Sequence, residues 1–436
     1  MGFSFYYICA IITALQRFIS YQQFNKPDWT LKALDWAQHF SHFAYYQHNN
    51  ISYPHNGFRQ ILAIGAKRTL SQTANGAFEN LRAFHQNKWL FGYLGYDLKN
   101  DTERLTSENT DHVQFPDISF FEAEHIIFFG TNGVEIHSDN ESLFEEISKH
   151  EPLFSKPSFS HSTPAIDQDT YEKTVAKLID HIEAGDIYEI NFCQEFHGKV
   201  ESFSPLQTYL ALNELSPKPF SCFQRFNEHY IICASPERFL LKEDDKLISQ
   251  PIKGTRPRGA DSATDELLIS ELRNDEKEIA ENMMIVDLVR NDLAKSSKSG
   301  SVKVEELFGI YSFQQVHQMI STVISEKKET VDFVECIKNA FPMGSMTGAP
   351  KVMVMKLIEH YEQNRRGAFS GAAGYISPSG NFDFNVLIRS LFINAKTDTY
   401  SFQVGSAITY DAVPSKEYEE CLVKAKALLA ILTANN

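Results

Sequence analysis

Positive charge is in short supply: 41 Lys and Arg stand against 56 Asp and Glu, a formal net charge of −15 over 436 residues. A surface of that sign repels nucleic acid and anionic lipid, so neither is an expected partner, and an anionic ligand needs a local positive site. Cysteine is scarce as well. Cys9, Cys193, Cys222, Cys233, Cys336 and Cys421 are scattered, with no CxxC and no Cys/His grouping, which excludes a structural zinc of the usual kind. Reduced thiols in a cytoplasmic protein are the simplest reading. Spanning hydrophobic runs are missing too. The apolar start, MGFSFYYICAIITALQ, falls short of the ~20 residues a membrane-crossing helix needs. It has no basic segment before it, and Ala-Leu-Gln-Arg is a poor cleavage site. Residues 1–16 therefore read as an N-terminal extension of unknown role, with neither membrane insertion nor export expected. No fixed-period repeat or low-complexity tract is visible.

What is present is core material, with 43% hydrophobic and 22% charged residues. Single cores stop growing beyond roughly 250–300 residues, so two lobes or one large composite fold is expected. The Pro- and Ser-rich stretch HEPLFSKPSFSHSTPAIDQD, residues 150–169, is the best linker candidate. It divides an N-terminal lobe, 17–160, from a region, 161–436, that holds every strong motif.

After this stretch, Asp169 and Glu172 signal a helix start, and Val175, Leu178, Ile179 and Ile182 repeat at i, i+3, i+4 and i+7 until Gly185. The helix leads into DIYEINFCQEF, Asp186 to Phe196, whose aromatic and β-branched residues predict a buried strand. HYIICASPERFLLKEDDKLISQPIKGT reads as two or three strands joined by a charged turn at Glu243 to Asp245, and a further hairpin is expected around Ser377 to Gly380. Hairpins alternating with long helices indicate mixed α and β structure on antiparallel sheet, not a dinucleotide-binding chain.

Two expected helices each carry a Glu-x-x-Glu pair, Glu278 with Glu281 and Glu417 with Glu420, the second followed one turn later by Lys424. Residues at this spacing share a helix face. Four such carboxylates, if they converge, call for a hard divalent cation, and Mg²⁺ is the natural candidate. The same spacing also suits ordinary solvated helix faces, and spacing alone does not decide. The apolar stripe of the last helix, Tyr418, Cys421, Leu422, Ala425, Leu428, Leu429 and Leu432, is expected to face the core.

PIKGTRPRG, Pro251 to Gly259, sets one lysine and two arginines in a loop stiffened by prolines and glycines. Lys253 follows an apolar strand, and partial burial would lower its pKa and free the amine as a nucleophile. A surface or phosphate-binding lysine is the plainer reading. Glu237, in ASPERF, is a candidate general acid if burial raises its pKa, or else a partner of Arg238. GSMTGAPK, Gly344 to Lys351, is not a P-loop, because its lysine follows Pro350 and Val352 stands where Ser or Thr is required. Its backbone can still offer amides to an anion at a helix start. His317, in QQVHQMIS, taken alone suits a core histidine.

In this order, PIKGTRPRG, AENMMIVDLVRNDL, GSMTGAPK, GAFSGAAGYIS and DAVPSKEYEECLVKAKA resemble the chorismate-binding enzymes, a family that includes anthranilate synthase component I, aminodeoxychorismate synthase component I and isochorismate synthase. The resemblance covers Asp169 to Asn436, with a weaker extension at WLFGYLGYDLKND, Trp89 to Asp101. It implies an α+β fold, the anthranilate synthase component I-like fold of large antiparallel sheets packed as a sandwich with helices outside. Lys253 stands at the position that separates branches, reading PIAGT in anthranilate synthases and PIKGT in the lysine-bearing aminating branch. The implied reaction is amination of chorismate at C4 to 4-amino-4-deoxychorismate, in p-aminobenzoate and folate synthesis, through a covalent Lys253 intermediate. The alternative is conversion to anthranilate and pyruvate.

By the same resemblance Glu281 and Glu420 match Mg²⁺ ligands, with Glu278 and Glu417 acting through water. Arg389, Lys424, Ser345 and the backbone amides of Gly405 and Ala407 match positions that hold the substrate carboxylates. Glu237 matches the acid and His317 a histidine beside the departing C4 hydroxyl. Glu189 departs from the family, which more often has Gln there and a lysine in isochorismate synthases; no role follows for it. Arg256 and Arg258 are expected to pin the loop. No cysteine lies in a GxCxG setting, so ammonia is expected from a separate glutamine amidotransferase subunit.

Overall fold

A computed structural model describes residues 18–23, 28–131 and 133–433. Cys9 and the apolar start at 1–16 lie outside the described residues. Among these, 21 strands join in one hydrogen-bonded network accompanied by 11 α-helices. The long strand Ile118–Phe129 is its pivot. One edge pairs antiparallel with Ile61–Gln72, the other with Leu90–Leu94 and Gly133–Ser138.

From the first edge, a run of antiparallel strands passes through His42–Gln47, Phe220–Phe226, His229–Ser235, Ser390–Asn394 and Thr399–Ile408 to Glu189–Ser202. From Leu90–Leu94 a second run passes through Ala372–Ile376, Phe382–Asn385, Arg238–Glu243 and Lys246–Gln250 to Val316–Glu326, which is flanked by Ile252–Pro257 and Lys303–Ser312. Strands from both sides of residue 160 are thus hydrogen-bonded to one another. The Pro- and Ser-rich stretch itself carries two short strands, Ser158–Phe159 and Thr163–Pro164, laid against Glu189–Ser202.

The runs pack face to face as a sandwich. Alternation along His42–Gln47 shows why, since Ala44 and Tyr46 enter the core between the sheets while Phe43 and Tyr45 enter a second core under the helices. Across the sandwich, Tyr46 Oη donates to the Gly374 carbonyl at 2.6 Å and Asn385 Nδ2 to the Phe220 carbonyl at 2.9 Å. These bonds satisfy the Tyr46 hydroxyl and an Asn385 amide hydrogen that the aromatic core buries. Helices Asp28–Ala37, Gln168–Glu183, Pro205–Leu215 and Pro414–Thr433 cover the first run, and Ala77–His85, Glu276–Ser296 and Phe333–Ala340 pack on the second. Antiparallel sandwich and outer helices are as the sequence implied.

Local readings hold with small shifts. The helix after the Pro- and Ser-rich stretch is capped by Asp167, which accepts from the Thr170 amide at 2.8 Å, two residues before the expected start. The strand expected from Asp186 begins at Glu189. In the last helix Cys421, Ala425, Leu428 and Leu432 are buried, but Leu422 is 38% exposed, since its side of the helix borders solvent. No helix among the described residues is long and apolar enough to cross a membrane.

Candidate active site

The two runs come together where Glu189 opens its strand and Lys253 stands in Ile252–Pro257. Between Ile252 and Thr255 the register against Val316–Glu326 slips by one residue, so Lys253 sits in a β-bulge, a device that re-aims a side chain out of its pleat. Asn282 Nδ2 holds the Lys253 carbonyl at 3.3 Å, and Ser321 Oγ fixes Asn282 at 2.6 Å. Lys253 Nζ then donates to Glu189 Oε1 at 2.6 Å. Glu189 is wholly buried, and its Oε2 has no partner among the described residues.

Gly348 of GSMTGAPK makes this placement possible. Its φ of +144° and the 2.1 Å gap a Cβ would leave to the Glu189 carbonyl oxygen exclude any side chain. The loop therefore lies directly on the strand beside Glu189. Lys351 is held by Asp292 at 2.6 Å.

Here the structure corrects one expectation. Burial by itself would lower the Lys253 pKa, but Glu189, with the charges of Glu281 and Glu420, outweighs it and raises the amine above the usual lysine value. The resting side chain is an ammonium ion.

Glu237 lies beside a second bulge, at Arg238–Leu241, and is 5% exposed. Arg238 is not its partner. That guanidinium is taken by Asp383 at 2.9 and 3.0 Å and by Gln250 at 2.6 Å. Burial pushes the Glu237 carboxyl up to about 7, against the opposing pull of a Ser345 hydrogen bond and the Lys253 and Lys424 charges. A group so tuned carries a proton to a leaving group near neutrality. Glu237, Pro251, Val289, Gly344 and Ser345 line one cleft.

Glu278 and Glu281 project from Glu276–Ser296, and Glu417 and Glu420 from Pro414–Thr433. Lys277 Nζ stands 3.8 Å from Glu281 and 3.7 Å from Glu417, so the two helices do bring carboxylates to one cation. Burial pushes Glu281 up to about 7 and raises Glu417. Burial also acts upward on Glu420, but Lys424 at 2.6 Å, with Lys253 and Lys277, holds it below the usual range. Glu278 turns to Arg256 at 3.1 Å. Glu281 and Glu417, brought to one ammonium, with Glu278 and Glu420 on the same two helices, offer only carboxylate oxygens, a donor chemistry that fits a hard divalent ion such as Mg²⁺. The one trio of potential ligands among the described residues within 4.8 Å of one another is elsewhere, at His112, Glu195 and His197.

Next to the carboxylates lie cations. Lys424 Nζ donates to the Gly405 carbonyl at 2.8 Å and Arg389 Nη1 to the Lys424 carbonyl at 3.0 Å. Gly405 pairs with Cys193, whose Sγ would lie 2.4 Å from an added Cβ, and Ala407 pairs with Asn191 on the same ladder. No carboxylate among the described residues is within 4 Å of Arg389. Sequence reasoning missed Lys218, which is 8% exposed and whose amine is pushed down to about 8 by burial. Its only signal is its position in SPKPFS, a lysine held between prolines ahead of a strand.

His317 is fully buried, with Nε2 on Asp265 Oδ1 and Nδ1 on Ser312 Oγ, both at 2.8 Å. Both ring nitrogens thus have protein partners. Arg258 grips the same Asp265, and Arg256 binds Asp275 and Glu278, so the arginines pin the loop to the two helices that follow it.

This assembly of a bulge lysine, a buried acid, paired carboxylates and unpaired cations can be set against known proteins. The family model described as chorismate binding enzyme matches residues 30–430. The chain belongs to the chorismate-binding enzymes. Aminodeoxychorismate synthase component 1 of Escherichia coli (strain K12) is 33% identical over 78% of this chain and 75% of its own. Anthranilate synthase component 1 of Saccharolobus solfataricus is 34% identical over 78% of this chain and 79% of its own. Among solved structures, anthranilate synthase component I from Streptococcus pneumoniae TIGR4 superposes with a TM-score of 0.75 at 25% identity, covering 87% of this chain and 93% of that one. As a chorismate-binding enzyme the protein uses chorismate; relatives of different product are equally similar.

Proposed function

We propose that the protein aminates chorismate at C4, giving 4-amino-4-deoxychorismate, with Lys253 as covalent nucleophile and Glu237 as acid. The observation that carries this reading is a bulge that aims Lys253 out of its pleat, together with Glu237, which is buried and has no ion-pair partner among the described residues.

Chorismate is a dianion, and Arg389 and Lys424 offer the positive charge that an acidic protein otherwise lacks. Glu281 and Glu420, with Glu278 and Glu417 behind them, would hold Mg²⁺, which neutralises charge on a substrate carboxylate when bound. Lys253 must first give up a proton, for which Glu189 is the carboxylate at hand. The amine then forms a bond to C2, the two ring double bonds shift, and the C4 hydroxyl leaves as water with the Glu237 proton. Ammonia next bonds to C4, the double bonds shift back, and the C2–Nζ bond breaks. Glu237 recovers a proton from the new ammonium and Lys253 recovers its own from Glu189, so the cycle closes on chorismate plus ammonia giving aminodeoxychorismate plus water. His317 keeps the PIKGTRPRG strand against its neighbour near the departing hydroxyl, while Ser345, Gly405 and Ala407 border the substrate. Ammonia reaches the site from a separate glutamine amidotransferase subunit, as the names of the component 1 relatives suggest.

The test is product identity. Purified protein with chorismate, Mg²⁺ and ammonium is analysed by mass spectrometry with and without added aminodeoxychorismate lyase. Lyase-dependent p-aminobenzoate is expected; fluorescent anthranilate with pyruvate would overturn the branch assignment.

A further inference from the structure

Lys277 stands where a lysine is locally disfavoured. It is the second residue of Glu276–Ser296, and the amino end of a helix opposes positive charge. Its i, i+4 partner is Glu281, in the order Lys then Glu, the weaker of the two orders on a helix face. What the position provides is reach. The Lys277 ammonium lies 3.8 Å from Glu281 and 3.7 Å from Glu417, both buried, while its own side chain is 42% exposed. The helices that carry these carboxylates pack on opposite runs of the sandwich. Among the described residues, Lys277 with Glu417 is the one ion pair that joins them. Both separations exceed hydrogen-bond length, so the ammonium is a shared counter-charge and not a fixed donor. The other two carboxylates of the set have cations of their own, Glu278 with Arg256 at 3.1 Å and Glu420 with Lys424 at 2.6 Å. Two buried carboxylates that meet across helices repel unless a cation lies near both.

We infer that Lys277 is a tethered counter-ion: it holds Glu281 and Glu417 together until a divalent ion binds them, and the ion has to displace it. The inference rests on the Mg²⁺ reading of these residues, not on which product forms. Lys277 is thus a positioning residue that acts through the two glutamates and sets their affinity for the ion. Its half-exposed stem gives the ammonium a path into water without disturbing either core. A lysine suits the task, since it is a compact, strongly hydrated charge on a flexible stem, whereas the planar fork of an arginine grips a carboxylate through paired hydrogen bonds and is harder to displace.

The experiment compares wild type, Lys277→Met and Lys277→Arg at neutral pH and fixed ionic strength, by isothermal titration with Mg²⁺ and by thermal unfolding in chelator and in saturating Mg²⁺. Lys277→Met binds Mg²⁺ ~10-fold more tightly than wild type, as expected of a site that its counter-ion leaves free about a tenth of the time. In chelator Lys277→Met melts below wild type, although loss of a cation from a helix start would by itself raise stability. In saturating Mg²⁺ the difference vanishes, because the tighter binding offsets the lost ion pair. Lys277→Arg keeps the wild-type melting temperature in chelator and binds Mg²⁺ no more tightly than wild type. An unchanged affinity in Lys277→Met, a melting temperature in chelator no lower than wild type, or a deficit that persists in saturating Mg²⁺ would each overturn the role of Lys277 and leave the metal reading standing. Failure of all three proteins to bind Mg²⁺ would overturn the metal reading and the inference with it.

Discussion

Glu189 Oε1 lies 2.6 Å from Lys253 Nζ, and the pair spans the two sheets of the sandwich. One partner comes from the outermost strand of the first run and the other from a bulge at the end of the second, so the ion pair records whether the two ends are properly assembled. Because Glu189 is wholly buried, removing one partner strands a charge in a low-dielectric site. Glu189→Ala is therefore expected to cost about 3–5 kcal/mol in urea unfolding at neutral pH. The double change Glu189→Leu with Lys253→Met recovers most of that loss. The raised Lys253 pKa gives the sign at high pH: stability from the pair is full below the ordinary lysine value and is lost as pH rises through the raised one. Alkaline unfolding of wild type should show this loss and Lys253→Met should not.

Glu237 should set the alkaline limb of activity. Its carboxyl, pushed up to about 7, gives protons only while protonated, so kcat/KM falls as pH rises through about 7. Glu237→Gln is expected to reduce kcat by ~100- to 10,000-fold with little change in KM. The same shift appears in stability with its own sign. A raised carboxyl favours the folded state below the ordinary glutamate range and loses that contribution as pH climbs through about 7. Above that point Glu237→Gln should be the more stable protein, by on the order of 3 kcal/mol, as read from denaturant midpoints at two pH values.

Mg²⁺ should raise the melting temperature of the wild type in a concentration-dependent way and leave Glu281→Gln unmoved. Chelation should abolish turnover, and excess Mg²⁺ should restore it. Isothermal titration of the ion into both proteins checks the same point without turnover.

Gly348→Ala should damage the site without touching a charged group. The new Cβ would stand 2.1 Å from the Glu189 carbonyl oxygen at a φ of +144°, so the loop must lift from the strand. A destabilisation of at least about 2 kcal/mol is expected, with kcat lowered more than the change in stability alone explains. Unfolding midpoints and steady-state kinetics on the same preparation separate the two.

The sequence carried local information well and long-range information through motifs alone. The helix at Gln168–Glu183 and the hairpins around Glu243 and Ser377 were legible because their signals are periodicity and turn chemistry, which act within a few residues. Lys253 was legible as special, yet the direction of its pKa was not. Burial could be guessed from flanking apolar residues, whereas the opposing charge comes from Glu189, 64 residues earlier in the chain. Arg238 illustrates the reverse error of proximity: it adjoins Glu237 in sequence but is bound to Asp383 across the sheet. Lys218 was missed for the same reason. An unpaired charge is defined by what fails to approach it, and no local pattern encodes that.

The most direct measurement omits ammonia. Wild-type protein is incubated with chorismate and Mg²⁺ alone, and its intact mass and peptide map are recorded beside those of Lys253→Ala. Covalent amination predicts an adduct of chorismate less one water, localised to Lys253, that disappears when ammonium is added as aminodeoxychorismate forms. Absence of the adduct, together with an undiminished rate of amination by Lys253→Ala, would contradict the account.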